Sequence, residues 1–181
     1  MKIAIDVDGV LLNMTTIFKY AFTYYNEEYY PATDWDMHNY PEHVREHILF
    51  TLFGDENMMT LHMPFKDNYV ALIKKLYEWK EQGHELYILS SRCKAILEKT
   101  RFHLLLHFQN IFKDILIIQG SKIPYLKEYE IDLLIDDGNK NIEACLENNI
   151  NVIMISDDDQ VYNHYLRNKV KWCKSILEVK L

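Results

Sequence analysis

From residue 67 onward, short apolar runs alternate with segments of helical length, and this alternation constrains the fold more than any other feature of the chain. The runs are Glu85-Leu86-Tyr87-Ile88-Leu89, Ile115-Leu116-Ile117-Ile118, Ile131 to Ile135 and Asn151 to Ile155. Each is apolar at consecutive rather than alternate positions, as a strand buried on both faces requires. Between them Asn68 to Gln82, Ala95 to Phe108, Lys122 to Glu128 and Asn139 to Glu147 read as helices. Asp67 is the expected N-cap of the first of these and Gly83 its stop. A similar run, Lys2-Ile3-Ala4-Ile5-Asp6-Val7, opens the chain. Strands separated by helices predict an α/β protein with a parallel sheet covered on both faces.

The alternation is interrupted between Asn13 and about Phe65, where helical patterns occur without strands. A helix rich in aromatics is expected from Met14 to about Tyr30, broken by Pro31 and the stretch Thr33-Asp34-Trp35-Asp36. A second is expected from Glu42 to Phe53, with Pro41 at its start and Gly54 at its end. The organisation this implies is a core made of residues 1–12 and 66–181, with a helical cap inserted at 13–65. Aromatics at helical spacing form the inside of such an insert. Trp35 stands apart as the candidate to touch a ligand. The tail beyond Asp157 has mixed character, with a last helix expected near Ser175 to Val179.

Nearly half of the 181 residues are hydrophobic, a globular rather than a disordered composition. No apolar run approaches the roughly 20 residues of a membrane helix. The first residues are already strand-like and lack the pattern of a secretory leader, so a cytoplasmic location is the expectation. Cys93, Cys145 and Cys173 are odd in number and widely spaced, which suits reduced thiols. Residues 13–65 hold two basic and eight acidic side chains, a net charge of −6. Such a surface repels a nucleic-acid polymer, whereas a small phosphate ester can bind where local donors and a metal face it. The sequence leaves room for a homodimer and does not specify one.

Chemistry-bearing residues gather at the ends of the strands. The first strand runs into Asp6-Val7-Asp8-Gly9, two carboxylates that repel one another unless a cation or proton intervenes. The fourth ends in Asp136-Asp137-Gly138, where one aspartate would suffice as a helix cap and the pair is in excess. Adjacent carboxylates suit a hard cation such as Mg²⁺. The second strand ends in Ser90-Ser91-Arg92, whose hydroxyls, backbone N–H groups and guanidinium make an anion site. Lys122, after Gly120-Ser121, would balance carboxylate charge and bind a phosphate oxygen; Lys127 is the fallback for that role.

Asp6-x-Asp8, Ser90, Lys122 and Asp136-Asp137, in that order and each beside a strand end, resemble the four-motif signature of the haloacid dehalogenase superfamily. The resemblance covers about Met1 to Val10 and Phe65 to Ile155. It implies a doubly wound, Rossmann-type parallel sheet with the first and fourth strands adjacent at the switch point, where ligands bind in open α/β sheets. Asp6-Val7-Asp8-Gly9-Val10-Leu11, the insert with Thr33-Asp34-Trp35-Asp36, and Asp132-Leu133-Leu134-Ile135-Asp136-Asp137 further resemble the 5′(3′)-deoxyribonucleotidase family, which uses a small helical cap. Asn13 stands where that family commonly has Asp, and Met14 where it has an aromatic.

The resemblance implies a Mg²⁺-dependent phosphomonoesterase acting on a deoxynucleoside monophosphate. Asp6 would attack phosphorus and form an aspartyl-phosphate, and Asp8 would act as acid and then base. Asp6, the Asp8 carbonyl and Asp136 would hold the metal, with Asp137 positioning its waters. Ser90, Ser91, Arg92 and Lys122 would bind phosphoryl oxygens. The alternatives are a sugar-phosphate or phosphoglycolate phosphatase of the same superfamily and a non-enzymatic binding protein on the same scaffold. A polynucleotide 3′-phosphatase is disfavoured by the acidic insert.

Overall fold

The sheet has six strands, all parallel, in the spatial order β3-β2-β1-β4-β5-β6. They are β1 Lys2–Ile5, β2 Glu85–Ser90, β3 Asp114–Ile117, β4 Leu133–Asp136, β5 Asn151–Ile155 and β6 Lys171–Cys173. The computed structural model describes residues 1–55, 57–59, 63–92 and 96–181. Cys93 and the expected helix start at Ala95 lie outside the described residues; Cys145 and Cys173 carry free thiols.

Alternate strand residues pack into two separate cores, which is why the runs are apolar throughout. Ile3, Ile5, Leu86, Ile88, Ile115 and Ile135 join Leu72, Leu76 and Trp79 of α3 (Tyr69–Glu81) and Leu104 of α4 (Leu97–His107) on one face. Ala4, Tyr87, Leu89, Leu134 and Met154 join Leu126 of α5 (Ile123–Glu128) and Ile142 and Cys145 of α6 (Asn139–Glu147) on the other. Every strand of the centre therefore buries both faces, the condition for an all-parallel sheet.

The insert leaves the sheet at Leu12 and returns at Phe65, and these two residues form an antiparallel bridge. The Asn13 amide donates to the Pro64 carbonyl at 2.8 Å, and the Lys66 amide to the Leu11 carbonyl at 2.9 Å. Inside it, α1 (Thr15–Tyr24) buries Phe18 and Phe22 against Tyr40 in edge-to-face contacts at 6.0 and 4.8 Å. Its next helix, α2 (Glu42–Glu46), runs into a π-helical stretch, His47–Leu52.

Several boundaries differ from the sequence expectation for identifiable reasons. α1 stops at Tyr24, short of Tyr30, because Asn26 adopts φ +56° and the Glu27 amide bonds back to the Phe22 carbonyl at 2.9 Å. That is a Schellman stop with asparagine in the left-handed position. α3 is capped by Asn68 rather than Asp67: the Asn68 side chain accepts from the Ala71 amide at 3.1 Å. The helix expected over Glu42 to Phe53 forms, but widens to π in its second half. β6 was not expected; three residues, Lys171-Trp172-Cys173, carry too little pattern to read as a strand. The last helix shortens to a 3₁₀ turn, Ile176–Glu178, behind the cap Ser175. Among the described residues no helix is long and apolar enough to cross a membrane.

Asn68→Ala removes the one side-chain cap of α3. The expected outcome is a loss of about 1 kcal/mol in urea unfolding with unchanged m-value, while Asp67→Ala shows no comparable helix-capping loss.

Candidate active site

β1 and β4 are neighbours at the point where the strand order reverses, with Ile5 in register with Ile135. The Asp6 amide extends this pairing by donating to the Ile135 carbonyl at 2.9 Å. Asp6 and Asp136 thus leave the sheet side by side although 130 residues separate them. Carboxylate oxygens of Asp6, Asp136 and Asp137 lie within 4.8 Å of one another, and all three residues are buried. A cavity of about 640 Å³ opens onto them, and Asp8, Ser90, Ser91, Arg92, Lys122 and Trp35 line it too. All nine side chains singled out from the sequence therefore meet in one place. Lys127 does not: it bonds Asn148 at 2.8 Å on the far side of α5.

Lys122 is 2 % exposed and bridges Asp6 Oδ1 at 2.8 Å and Asp136 Oδ2 at 2.7 Å. Burial pulls its ammonium down and the two aspartates push it up; the net direction is up, so it stays charged. Asp6 is pushed the other way. Burial raises its carboxyl most, Lys122 lowers it, Asp136 and Asp8 raise it further, and it ends at about 7. In Asp137, burial and then Asp6 and Asp136 hold the carboxyl well above its ordinary value. Carboxylates crowded in this way gain from a cation beside them.

The hydrogen bonds separate the two aspartates of the pair. Asp136 is saturated: Oδ1 accepts from the Gly138 amide at 2.8 Å, Oδ2 from Lys122 at 2.7 Å, and Asn141 reaches both at 3.3 and 3.1 Å. In Asp137, Oδ2 accepts from the Tyr162 hydroxyl and from Gln160 Nε2, the latter at 2.9 Å, while Oδ1 is buried with no hydrogen-bond partner among the described residues. A buried carboxylate oxygen costs free energy if nothing meets it. With hard oxygen donors around it, the set fits Mg²⁺.

The Ser90 hydroxyl, at the end of β2, is also buried without a hydrogen-bond partner among the described residues. Ser91 is exposed, 3.4 Å from the Gly120 carbonyl. Arg92 has a different engagement from the one its sequence position suggests. Its guanidinium grips Asp8 with Nε at 2.8 Å and Nη2 at 2.5 Å, a forked pair, and Nη1 donates to the Met59 carbonyl at 2.7 Å and to Thr100 at 3.1 Å. Trp35 stands edge-on to Tyr162 at 5.4 Å, so its ring supports the core while also lining the cavity. Gly9 has φ +75°, and a Cβ there would lie 1.9 Å from Asp137 Oδ2. Glycine is required at that turn both for its backbone conformation and for the closeness of Asp137.

Sequence reasoning missed Asn141, Gln160, Tyr162 and Lys66. Asn141 follows the second acidic pair closely and carried some signal; the other three carried none, because nothing local distinguishes them.

No family model matches the chain. It is 23% identical, over 97% of its length and 94% of the relative's, to a protein of Oceanobacillus iheyensis provisionally named a nucleotidase. Among solved structures, a protein of Lactobacillus delbrueckii subsp. bulgaricus provisionally named a phosphoglycolate phosphatase superposes with a TM-score of 0.62 at 12% identity, covering 98% of this chain and 94% of that one. A haloacid dehalogenase-type hydrolase of Entamoeba histolytica does so with a TM-score of 0.60 at 15% identity, covering 99% and 95%. The fold is the haloacid dehalogenase-like α/β fold.

Lys122→Met leaves Asp6 and Asp136 buried without their shared cation. Breaking a buried ion pair from one side costs about 3–5 kcal/mol, and a loss of that order is expected in urea unfolding with a chelator present. Millimolar Mg²⁺ should recover part of it; an unchanged unfolding midpoint would show that Lys122 does not hold the two carboxylates together.

Proposed function

We propose that this chain, with its haloacid dehalogenase-like fold, is a Mg²⁺-dependent phosphomonoesterase in which Asp6 attacks phosphorus. The observation that carries the reading is the convergence, at one switch point, of Asp6, a buried lysine, an unpaired buried serine hydroxyl and an unpaired carboxylate oxygen. Asp6 lines the cavity, with Lys122 orienting one of its oxygens. Attack by the other oxygen forms an aspartyl-phosphate, splitting one difficult displacement into two easier ones. Ser90 and Lys122 supply donors to the phosphoryl oxygens. Asp8 protonates the leaving oxygen and then takes a proton from the water that cleaves the intermediate. On this reading Arg92 must yield one of the two Asp8 oxygens it holds, and its bond to Met59 ties that release to the insert.

Asp6 and the Asp8 carbonyl would hold the cation. Of the acidic pair, the hydrogen bonds favour Asp137 as its third protein ligand, with Asp136 as the partner of Lys122, the reverse of the assignment expected from sequence. When bound, Mg²⁺ offsets the charge that builds on the phosphoryl oxygens.

The substrate class we propose is a nucleoside monophosphate, deoxynucleotides included. The provisional nucleotidase name of the Oceanobacillus relative supports this, as does the apolar side of the cavity, where Met14, Trp35, Leu49, Phe53, Met59 and Ile96 can meet the face of a base. Base–aromatic stacking contributes about 1–3 kcal/mol. A sugar phosphate would leave its hydroxyls unpaired there. The test is steady-state kinetics on thymidine, deoxyuridine and deoxyguanosine monophosphates beside glucose 6-phosphate and phosphoglycolate, with and without Mg²⁺. Nucleotides are expected to lead in kcat/KM by about tenfold or more, and Trp35→Ala to cost more on them than on an aryl phosphate. Sugar phosphate or phosphoglycolate leading by the same margin would leave a phosphatase that is not a nucleotidase. Asp6→Asn should lose turnover while melting no lower than wild type, since it removes one of several crowded charges. Residual activity within about tenfold of wild type would remove Asp6 as the nucleophile.

A further inference from the structure

We propose that the tail segment Gln160–Asn163 is the outer shell of the cation site, with Tyr162 and Gln160 as positioning residues that aim Asp137 at the ion. The proposal rests on the cation-site reading above and adds to it the part of the chain beyond the fifth strand, which no motif covers.

The three polar side chains of this segment are almost wholly buried, and all three bond the same residue. The Tyr162 hydroxyl and Gln160 Nε2 both donate to Asp137 Oδ2. Asn163 Nδ2 donates to the Asp137 carbonyl at 2.8 Å and to the Ile155 carbonyl at 3.0 Å, and its Oδ1 accepts from Ser156 at 2.7 Å. Backbone and carboxylate of Asp137 are therefore held from one side by one short piece of chain.

The donors are themselves fixed. Gln160 Oε1 accepts from Lys66 Nζ at 2.7 Å and from the Asp157 amide at 3.0 Å, while Nε2 also donates to the Gly9 carbonyl at 2.9 Å. Turning the amide over would set its oxygen against Asp137 and its nitrogen against a lysine, so only one orientation is compatible. Lys66 is paired in turn with Asp157 at 2.6 Å. The Tyr162 phenol, protonated at neutral pH as an ordinary tyrosine is, serves as a donor to Asp137 Oδ2. Its ring is braced by Trp35 of the insert.

With Oδ2 occupied twice, the Asp137 carboxylate cannot rotate without losing two buried bonds. Oδ1 is left as the oxygen available to an ion. A carboxylate pre-aimed in this way pays less to bind a cation, which is why the partners of metal ligands matter nearly as much as the ligands. A segment that merely anchored the tail would need no bond to the carboxylate at all.

The experiment is calorimetric titration of the full chain with Mg²⁺ in the presence of inorganic phosphate, paired with urea unfolding in chelator. Tyr162→Phe keeps the ring against Trp35 and removes only the hydroxyl; its Mg²⁺ dissociation constant is expected to rise about tenfold or more. Gln160→Met, which removes the other donor at similar length, should act in the same direction. Tyr87→Phe is the control, because it also deletes a tyrosine hydroxyl bonded to a carboxylate, Glu85 at 2.9 Å in a part-buried contact, but toward the other end of the strands. It should leave Mg²⁺ binding unchanged. If Tyr162→Phe and Gln160→Met lose stability in chelator yet bind Mg²⁺ within about twofold of wild type, while Asp137→Asn does not bind it, the segment is structural only and the inference falls. If wild type takes up no Mg²⁺, or if Asp137→Asn binds as wild type does, the assignment of Asp137 to the cation fails and takes this inference with it.

Discussion

The Lys122 ammonium, buried between Asp6 and Asp136, is the interaction on which the rest of the site depends. Two adjacent parallel strands end there in carboxylates, and a buried charge without a partner costs several kcal/mol. Each member of the acidic group has its own compensation. Lys122 serves Asp6 and Asp136, Arg92 serves Asp8, and neutral donors from the tail serve Asp137. The compensations come from three separate segments, so the site is complete only when they have closed around it. What is left over is one oxygen of Asp137 and the hydroxyl of Ser90, the two places where a cation and an anion would be received.

The insert is tied to this centre at several points. Its two ends pair with one another beside Asp8, through the bridge of Leu12 and Phe65. Met59 accepts from the arginine that holds Asp8, and Trp35 braces the tyrosine that holds Asp137. At the rim, Asp36 faces Lys140 of α6 at 3.3 Å, an exposed pair that guides more than it stabilises. The insert thus reaches the acidic group through two residues at one remove, Met59 by way of Arg92 and Trp35 by way of Tyr162.

The core architecture was legible because its signal is periodic and redundant. Runs such as Leu86 to Leu89 and Leu133 to Ile135 are apolar on both faces, as parallel strands covered by helices require. Asp6, Asp8, Ser90, Asp136 and Asp137 were legible because each stands at or just beyond the end of such a run, whereas Lys122, four residues past Ile118, stood out only as part of the four-motif resemblance. Boundaries were less so. Asn26 ends α1 through a backbone conformation that many asparagines never adopt, and Asn68 outcompetes Asp67 as cap by one position of register. β6 is a strand because β5 offers it an edge, not because Lys171-Trp172-Cys173 demands one.

The sequence by itself determined the α/β class, the interruption of the core by a helical segment, and the set of charged and hydroxyl residues at the strand ends, since each follows from local spacing and from the cost of burying a carboxylate. Tertiary structure alone decided how those residues divide the work. Asp136 and Asp137 are equivalent in sequence. They differ because Lys122, Asn141 and the Gly138 amide fill the first, while Tyr162 and Gln160 fill one side of the second and leave the other open. Arg92, too, sits in an anion-binding stretch of sequence yet turns to Asp8, because a buried guanidinium is stabilised by a carboxylate and the fold sets Asp8 beside it. Asp137 and Asp8 draw side-chain partners from 23 to 84 residues away, and separations of that kind leave no trace in local pattern.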